Sequence, residues 1–145
     1  MGAGQIAGPL GADFHIGLPA SEDARVADLK PPADASISAD PTLTDIKRVT
    51  LTNPGIDVSE TRTRAWRGAE IPAAGGTGNA RSVATIHTIL ANGGMANRKR
   101  FMSEAGCRKA LEEQIQGTDL ILGIPVRYGL GFGLSGPMSP ALNEH

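Results

Sequence analysis

Residues 63–94 read TRAWRGAEIPAAGGTGNARSVATIHTILANGG. Within this stretch a glycine-rich run, Gly75-Gly76-Thr77-Gly78, leads into a helical pattern from about Asn79 to Asn92. Val83, Ile86 and Leu90, with Ala84, Ile89 and Ala91, give that helix a broad apolar stripe. Thr77 or Asn79 can cap its start, and Gly93-Gly94 supplies a left-handed stop. A glycine run before a helix invites a phosphate-loop reading, because a helix N-terminus favours anions. A phosphate loop needs Gly-Lys-Ser/Thr at this point, and Asn79-Ala80 stand there instead. A dinucleotide fingerprint would need a preceding apolar strand, and Glu70-Ile71-Pro72-Ala73-Ala74 makes a poor one.

Upstream, Asp13 to Ile16 reads as a short strand closed by Gly17 and Pro19. Ser21, with Glu22 and Asp23 behind it, predicts a helix N-cap and a helix running to about Leu29, stopped by Pro31-Pro32. Residues 30–42 read as a flexible linker. Thr44 to Leu51 predicts a short helix that stops before Asn53-Pro54, and Glu60 to Arg67 a second that presents Trp66. Downstream, Ser103 to Gln116 predicts a helix with Ala105, Ala110, Leu111 and Ile115 on its apolar side, ended by Gly117. Asp119–Leu122 and Val126–Phe132 read as extended runs able to pair as a hairpin. Residues 135–145 read as a frayed tail.

Composition bounds the function. The chain has 145 residues, 40% of them apolar, which suits one domain. Aromatics make up only 3%, against 19 Gly and 10 Pro, so the core is thin and the loop fraction high. The net charge of −1 offers no basic excess for phosphates, so nucleic acid is excluded as a partner. The one basic cluster, Arg98-Lys99-Arg100, fits a solvated turn. Lone Cys107 has no partner for an internal disulfide and reads as a half-buried helix residue. No signal peptide or membrane-spanning run is visible, which points to the cytoplasm and away from a membrane.

No local motif supplies chemistry. His15, His87 and His145 lie far apart and fit no metal-ligand spacing, so the reading holds no metal and no cofactor. Gly133-Leu134-Ser135-Gly136-Pro137 approaches a nucleophile elbow, but Pro137 replaces the closing glycine. The run Gly129, Gly131, Gly133 fits close backbone packing in a strand. Glu112 and Glu113 are neighbours on a helix, where adjacent side chains point apart.

The order of short motifs is more specific than any one of them. Gly8-Pro9-Leu10-Gly11, Ile16-Gly17-Leu18-Pro19, Ile71 to Arg81, Leu90 to Gly94, Ala110 to Gln114 and Tyr128 to Gly133 follow one another in an order that resembles the serine β-lactamase-like hydrolases. The resemblance is to the carboxylesterases related to class C β-lactamases and covers roughly residues 5–134. It implies an α+β chain, the mainly helical portion of a β-lactamase/transpeptidase-like fold, with one or two edge strands near the C-terminus. It implies a partial domain over residues 1–145. It places Gly75, Gly76 and Thr77 on the substrate-cleft loop, at a concave and mobile surface, where related esterases show Asn-Gly-His.

The family works with Ser-x-x-Lys, Tyr-x-Asn and Lys-Thr-Gly or His-x-Gly motifs, and this chain has none. No serine has Lys three residues on, Tyr128 is followed at two by Leu130, and no Lys begins a Lys-Thr-Gly. The resemblance implies that the first two motifs fall before residue 1 and the third at or beyond residue 145. The chain therefore reads as a serine-hydrolase segment with no catalytic residue of its own. The alternative is a non-catalytic binding or assembly module derived from that fold. The implied substrate of the complete fold is a small acyl ester or lactam. Exposed apolar surface on the Val83/Ile86/Leu90 helix or around Leu120–Phe132 would serve self-association or a complementing chain.

Overall fold

The structure is a computed structural model that describes residues 4–30, 44–53, 55 and 57–136. Most of the expected linker and nearly all of the expected tail lie outside the described residues. Helix α1 (Ala7–Leu10) ends on Gly11 in the left-handed conformation, φ 63°. Strand β1 (Phe14–Ile16) follows, as the sequence suggested. The helix expected from Ser21 to Leu29 is instead a 3-10 turn, Ala20–Arg25. Pro19 sits at its cap position without a side-chain bond, and Val26 is already extended. The stretch is too short and too polar to nucleate a full helix, and ion pairs hold Arg25 to Asp13 and Glu22.

Helix α2 (Asp45–Thr52) forms where expected, with Thr44 accepting from the Lys47 N–H. The second expected helix divides in two. A 3-10 turn, Val58–Arg62, is capped by Asp57, and α3 (Arg64–Gly68) is capped by Thr63. A turn at residues 72–74 leads to strand β2 (Gly76–Gly78), which pairs antiparallel with β1. Helix α4 (Ala80–Ala91) starts on Asn79, whose side chain accepts from the Ser82 N–H. It stops at Gly93 and Gly94, with φ 57° and 93°.

The buried face of α4 is narrower than its apolar pattern, and rotated from it. Ser82 and Ile89 are buried and Ile86 is partly buried, whereas Val83 is 41% exposed. Seven apolar residues on twelve positions leave the rotation of the helix open. A specific bond sets it: the buried Ser82 Oγ accepts from the Asp13 N–H at 2.9 Å. The core that α4 completes is small, consisting of Ala7, Leu10, Ala12, Ile89 and Ala96 with Ile86 and Phe101 against it. Among the described residues no large side chain is more than 98% buried.

Strands β3 (Met95–Ala96) and β4 (Lys99–Arg100) form a tight hairpin. Its two turn residues, Asn97 and Arg98, both have positive φ, 47° and 60°, the geometry that matches strand twist. The basic cluster is thus exposed, with Arg98 in the turn and Lys99 and Arg100 in β4. Helix α5 (Glu104–Leu111) is capped by Ser103 and ends five residues earlier than expected, since Gln116 lies in a strand. Tertiary contacts end it: Leu130 N–H donates to the Ala110 carbonyl at 2.9 Å. Gly129 packs so closely there that a Cβ would meet the same oxygen at 2.5 Å. Cys107, on the inner side of α5, is buried rather than half-buried.

The C-terminal hairpin is shifted from its expected position. It pairs β5 (Ile115–Thr118) with β6 (Pro125–Tyr128). The expected strand 119–122 is a turn, because the Asp119 carboxylate accepts from the N–H groups of Ile121 and Leu122, at 2.8 and 2.7 Å. The expected exposed apolar surface is present. Leu120, Leu122 and Leu130 are 70%, 55% and 51% exposed.

Candidate functional site

A cleft of about 530 Å³ lies between the β1–β2 pair, the 3-10 turn at 20–25 and helix α3. All three glycine-run positions singled out from the sequence line it, together with Asp13, His15, Arg25, Trp66 and Arg67. The run is not an open loop along its whole length. Gly75 is buried, Gly76 to Gly78 form β2, and residues 72–74 form a turn beforehand, closed by the Ala74 and Gly75 N–H groups on the Ile71 carbonyl.

Strand periodicity explains the Gly-Thr-Gly pattern. Alternate residues face the same side, so Gly76 and Gly78 share one face and Thr77 takes the other. The ring of Phe14 lies against the glycine face. A Cβ on Gly76 would meet the end of the ring at 2.8 Å, and one on Gly78 would meet the ring at 2.7 Å and the Asp13 carbonyl at 2.8 Å. Thr77 stands opposite His15 in the register. The glycines are therefore required by close packing against an aromatic ring. The start of α4 is capped by Asn79, which takes up the N–H of Ser82.

One wall of the cleft is a connected set of charges. Asp13 accepts from the Arg25 guanidinium through one carboxylate oxygen and approaches His15 Nε2 at 3.2 Å through the other. Arg25 also donates to Glu22. The Arg25 hydrogen bond, then the one with His15, holds the Asp13 carboxyl below its ordinary value of 3.8. The Glu22 and Asp13 carboxylates in turn raise Arg25. Arg64 ties Asp23 and the Leu18 carbonyl to α3, and Arg67 Nη2 bonds Asp28 at 2.9 Å. Arg67 Nε is buried without a hydrogen-bond partner, so the cleft wall holds one unused donor. Sequence reasoning missed Asp13, Arg25 and Arg67. The Asp13-x-His15 spacing was a weak signal, but Arg25 and Arg67 come to the cleft only through the fold.

The other sequence candidates lie elsewhere. His87 is exposed on α4 and meets Phe132 edge-on, with ring centroids 6.1 Å apart. Glu112 and Glu113 pair with Lys109 and Arg127 respectively. His145 is outside the described residues. Among the described residues no helix is long and apolar enough to cross a membrane.

Comparison with solved structures decides the fold. A family VIII carboxylesterase superposes with a TM-score of 0.81 at 35% identity, over 93% of this chain. The chain carries part of the serine β-lactamase-like fold. A penicillin-binding protein homologue from Caulobacter crescentus, also 35% identical, superposes on this part of the serine β-lactamase-like fold over 92% of the chain with a TM-score of 0.74. EstA from Arthrobacter nitroguajacolicus Rue61a, 27% identical, does so over 90% with a TM-score of 0.75. The chain spans only 35%, 35% and 36% of these three solved chains, about a third of each. No family model matches the sequence, and no curated protein does. The resemblance read from the order of the motifs thus holds at the level of the fold.

Proposed function

We propose that the chain forms part of a serine hydrolase of the carboxylesterase/β-lactamase-like kind and does not catalyse hydrolysis by itself. The observation that carries the reading is the superposition on a family VIII carboxylesterase over 93% of the chain at 35% identity. The cleft beside β1–β2 is then one wall of the substrate site, with Gly75, Gly76 and Thr77 toward a small acyl ester or lactam. Acyl transfer needs an activated nucleophile, a group that moves its proton and donors for the developing oxyanion. This sequence has no Ser-x-x-Lys, Tyr-x-Asn, Lys-Thr-Gly or His-x-Gly, so neither the nucleophile nor its proton-handling partners are in it.

A second reading, a non-catalytic binding or assembly module on the same fold, is favoured by the exposed leucines at 120, 122 and 130. Steady-state assays of the purified chain test the first. Hydrolysis of p-nitrophenyl butyrate and nitrocefin should stay at the buffer blank. Turnover that scales with protein concentration and survives repurification would sink it.

A further inference from the structure

We propose that the open edge of β5 is a docking site for one strand of the polypeptide that supplies the rest of the serine β-lactamase-like fold. This rests on the reading just given, that the chain works as part of such a fold.

The register shows which peptide groups are free. Asp119 N–H donates to the Ile124 carbonyl at 2.9 Å, just beyond the paired strands. In an antiparallel ladder, hydrogen-bonded pairs alternate with non-bonded ones. Gly117/Val126 and Ile115/Tyr128 are therefore the bonded pairs, and Gln116/Arg127 and Thr118/Pro125 the non-bonded ones. Pro125, which has no N–H, stands where none is needed. The far edge of β6 is covered by the returning chain, since Leu134 N–H donates to the Arg127 carbonyl at 2.8 Å. Gln116 and Thr118 turn their N–H and C=O groups away from β6, and no partner for them is found among the described residues.

Side chains and length name the occupant. All four β5 residues are exposed, Ile115 by 61%, and Leu120 and Leu122 continue the apolar surface. A groove of about 450 Å³ runs along the hairpin and Leu134. Two like-facing peptide groups, about 7 Å apart along a strand, suit an extended main chain, as in strand addition to a sheet edge. A helix has no free peptide groups along its length to pair with them. The solved chains that superpose here are nearly three times longer than the part they share, so such a polypeptide has ample chain to donate.

The test co-expresses the 145-residue chain with a family VIII carboxylesterase from which the matching third is deleted. A one-to-one complex should form. Gln116→Pro should weaken it about tenfold or more, through loss of an outward N–H and steric obstruction. The hairpin tolerates that proline, because the N–H it removes faces away from β6, so the thermal midpoint of the free chain should hold. No complex, or a complex indifferent to Gln116→Pro, overturns the proposal. So does a homodimer of the free chain that Gln116→Pro dissociates.

Hydrogen exchange on the free monomer checks the edge without any partner. Ile115 and Gly117 amides should exchange slowly, and those of Gln116 and Thr118 at near-unprotected rates. Protection of Gln116 and Thr118 in the monomer overturns the proposal as well. Hydrolysis of p-nitrophenyl butyrate by the complex reads on the function separately. A Gln116-dependent complex without turnover would leave the docking edge standing and remove the hydrolase reading.

Discussion

Gly78→Ala tests why a glycine run precedes α4. The added Cβ would sit 2.7 Å from Phe14 Cδ2, 2.8 Å from the Asp13 carbonyl oxygen and 3.3 Å from Phe14 Cα. Two of these neighbours are backbone atoms, one in β1 and one in the residue just before it, and cannot rotate aside. Overpacking of this kind costs about 1–3 kcal/mol, a fall in melting midpoint of roughly 3–9 °C at this chain length. Gly76→Ala should cost less, because its closest contact, 2.8 Å, is with the end of the Phe14 ring. A Phe14→Leu background should recover part of the Gly76→Ala loss, with a coupling of about 1 kcal/mol, but little of the Gly78→Ala loss. Gly117→Ala is the control, since a Cβ there meets nothing within 4 Å, and it should stay within about 0.5 kcal/mol of the parent. Urea unfolding followed by circular dichroism measures the four single variants and the two double variants. If Gly78→Ala is as stable as Gly117→Ala, the glycines are not there for Phe14.

Three further outcomes follow from single contacts. Ser82→Ala leaves the Asp13 N–H without its acceptor and should cost about 1–3 kcal/mol, measured by the same unfolding; an unchanged midpoint would mean that Ser82 does not set the rotation of α4. Arg98→Gly relieves a left-handed residue in the β3–β4 turn and should gain about 0.5–1 kcal/mol, and a loss would refute the turn geometry. Asp13 has a folded-state pKa below its unfolded value of 3.8. Its contribution to stability is therefore complete above that value and is lost as pH falls through the folded value. Asp57, held down by its hydrogen bonds to Ser59, acts in the same direction. Stability should drop steadily below about pH 4, and Asp13→Asn should flatten that slope; an unaltered slope in the variant would contradict the Arg25 and His15 contacts.

Local signals were legible where they sat in one short window. Asn79 before an apolar stripe and Gly93-Gly94 after it bounded α4, and Thr44 and Ser103 marked two more helix starts. What was hidden depended on contacts between distant residues. Gly-Thr-Gly has little strand preference, and β2 exists because Phe14, more than sixty residues earlier, lies over its glycines. α5 ends early because Gly129 and Leu130 close on the Ala110 carbonyl. Asp119 was an available turn signal, and it was outweighed by the apolar run behind it. At the cleft, the sequence pointed to Gly75, Gly76 and Thr77 through resemblance alone. The Asp13–Arg25–Glu22 wall formed only once the chain brought β1 beside the 3-10 turn.

The central proposal is that this chain, which carries part of the serine β-lactamase-like fold, holds no nucleophile of its own. Intact mass after incubation with a fluorophosphonate probe tests it most directly, because the probe bonds only to an activated serine. The account predicts an unmodified mass at saturating probe. Stoichiometric addition of one probe, mapped to any serine, would contradict it. Ser135 is the first to inspect, since it alone has a glycine within two residues on each side, Gly133 and Gly136.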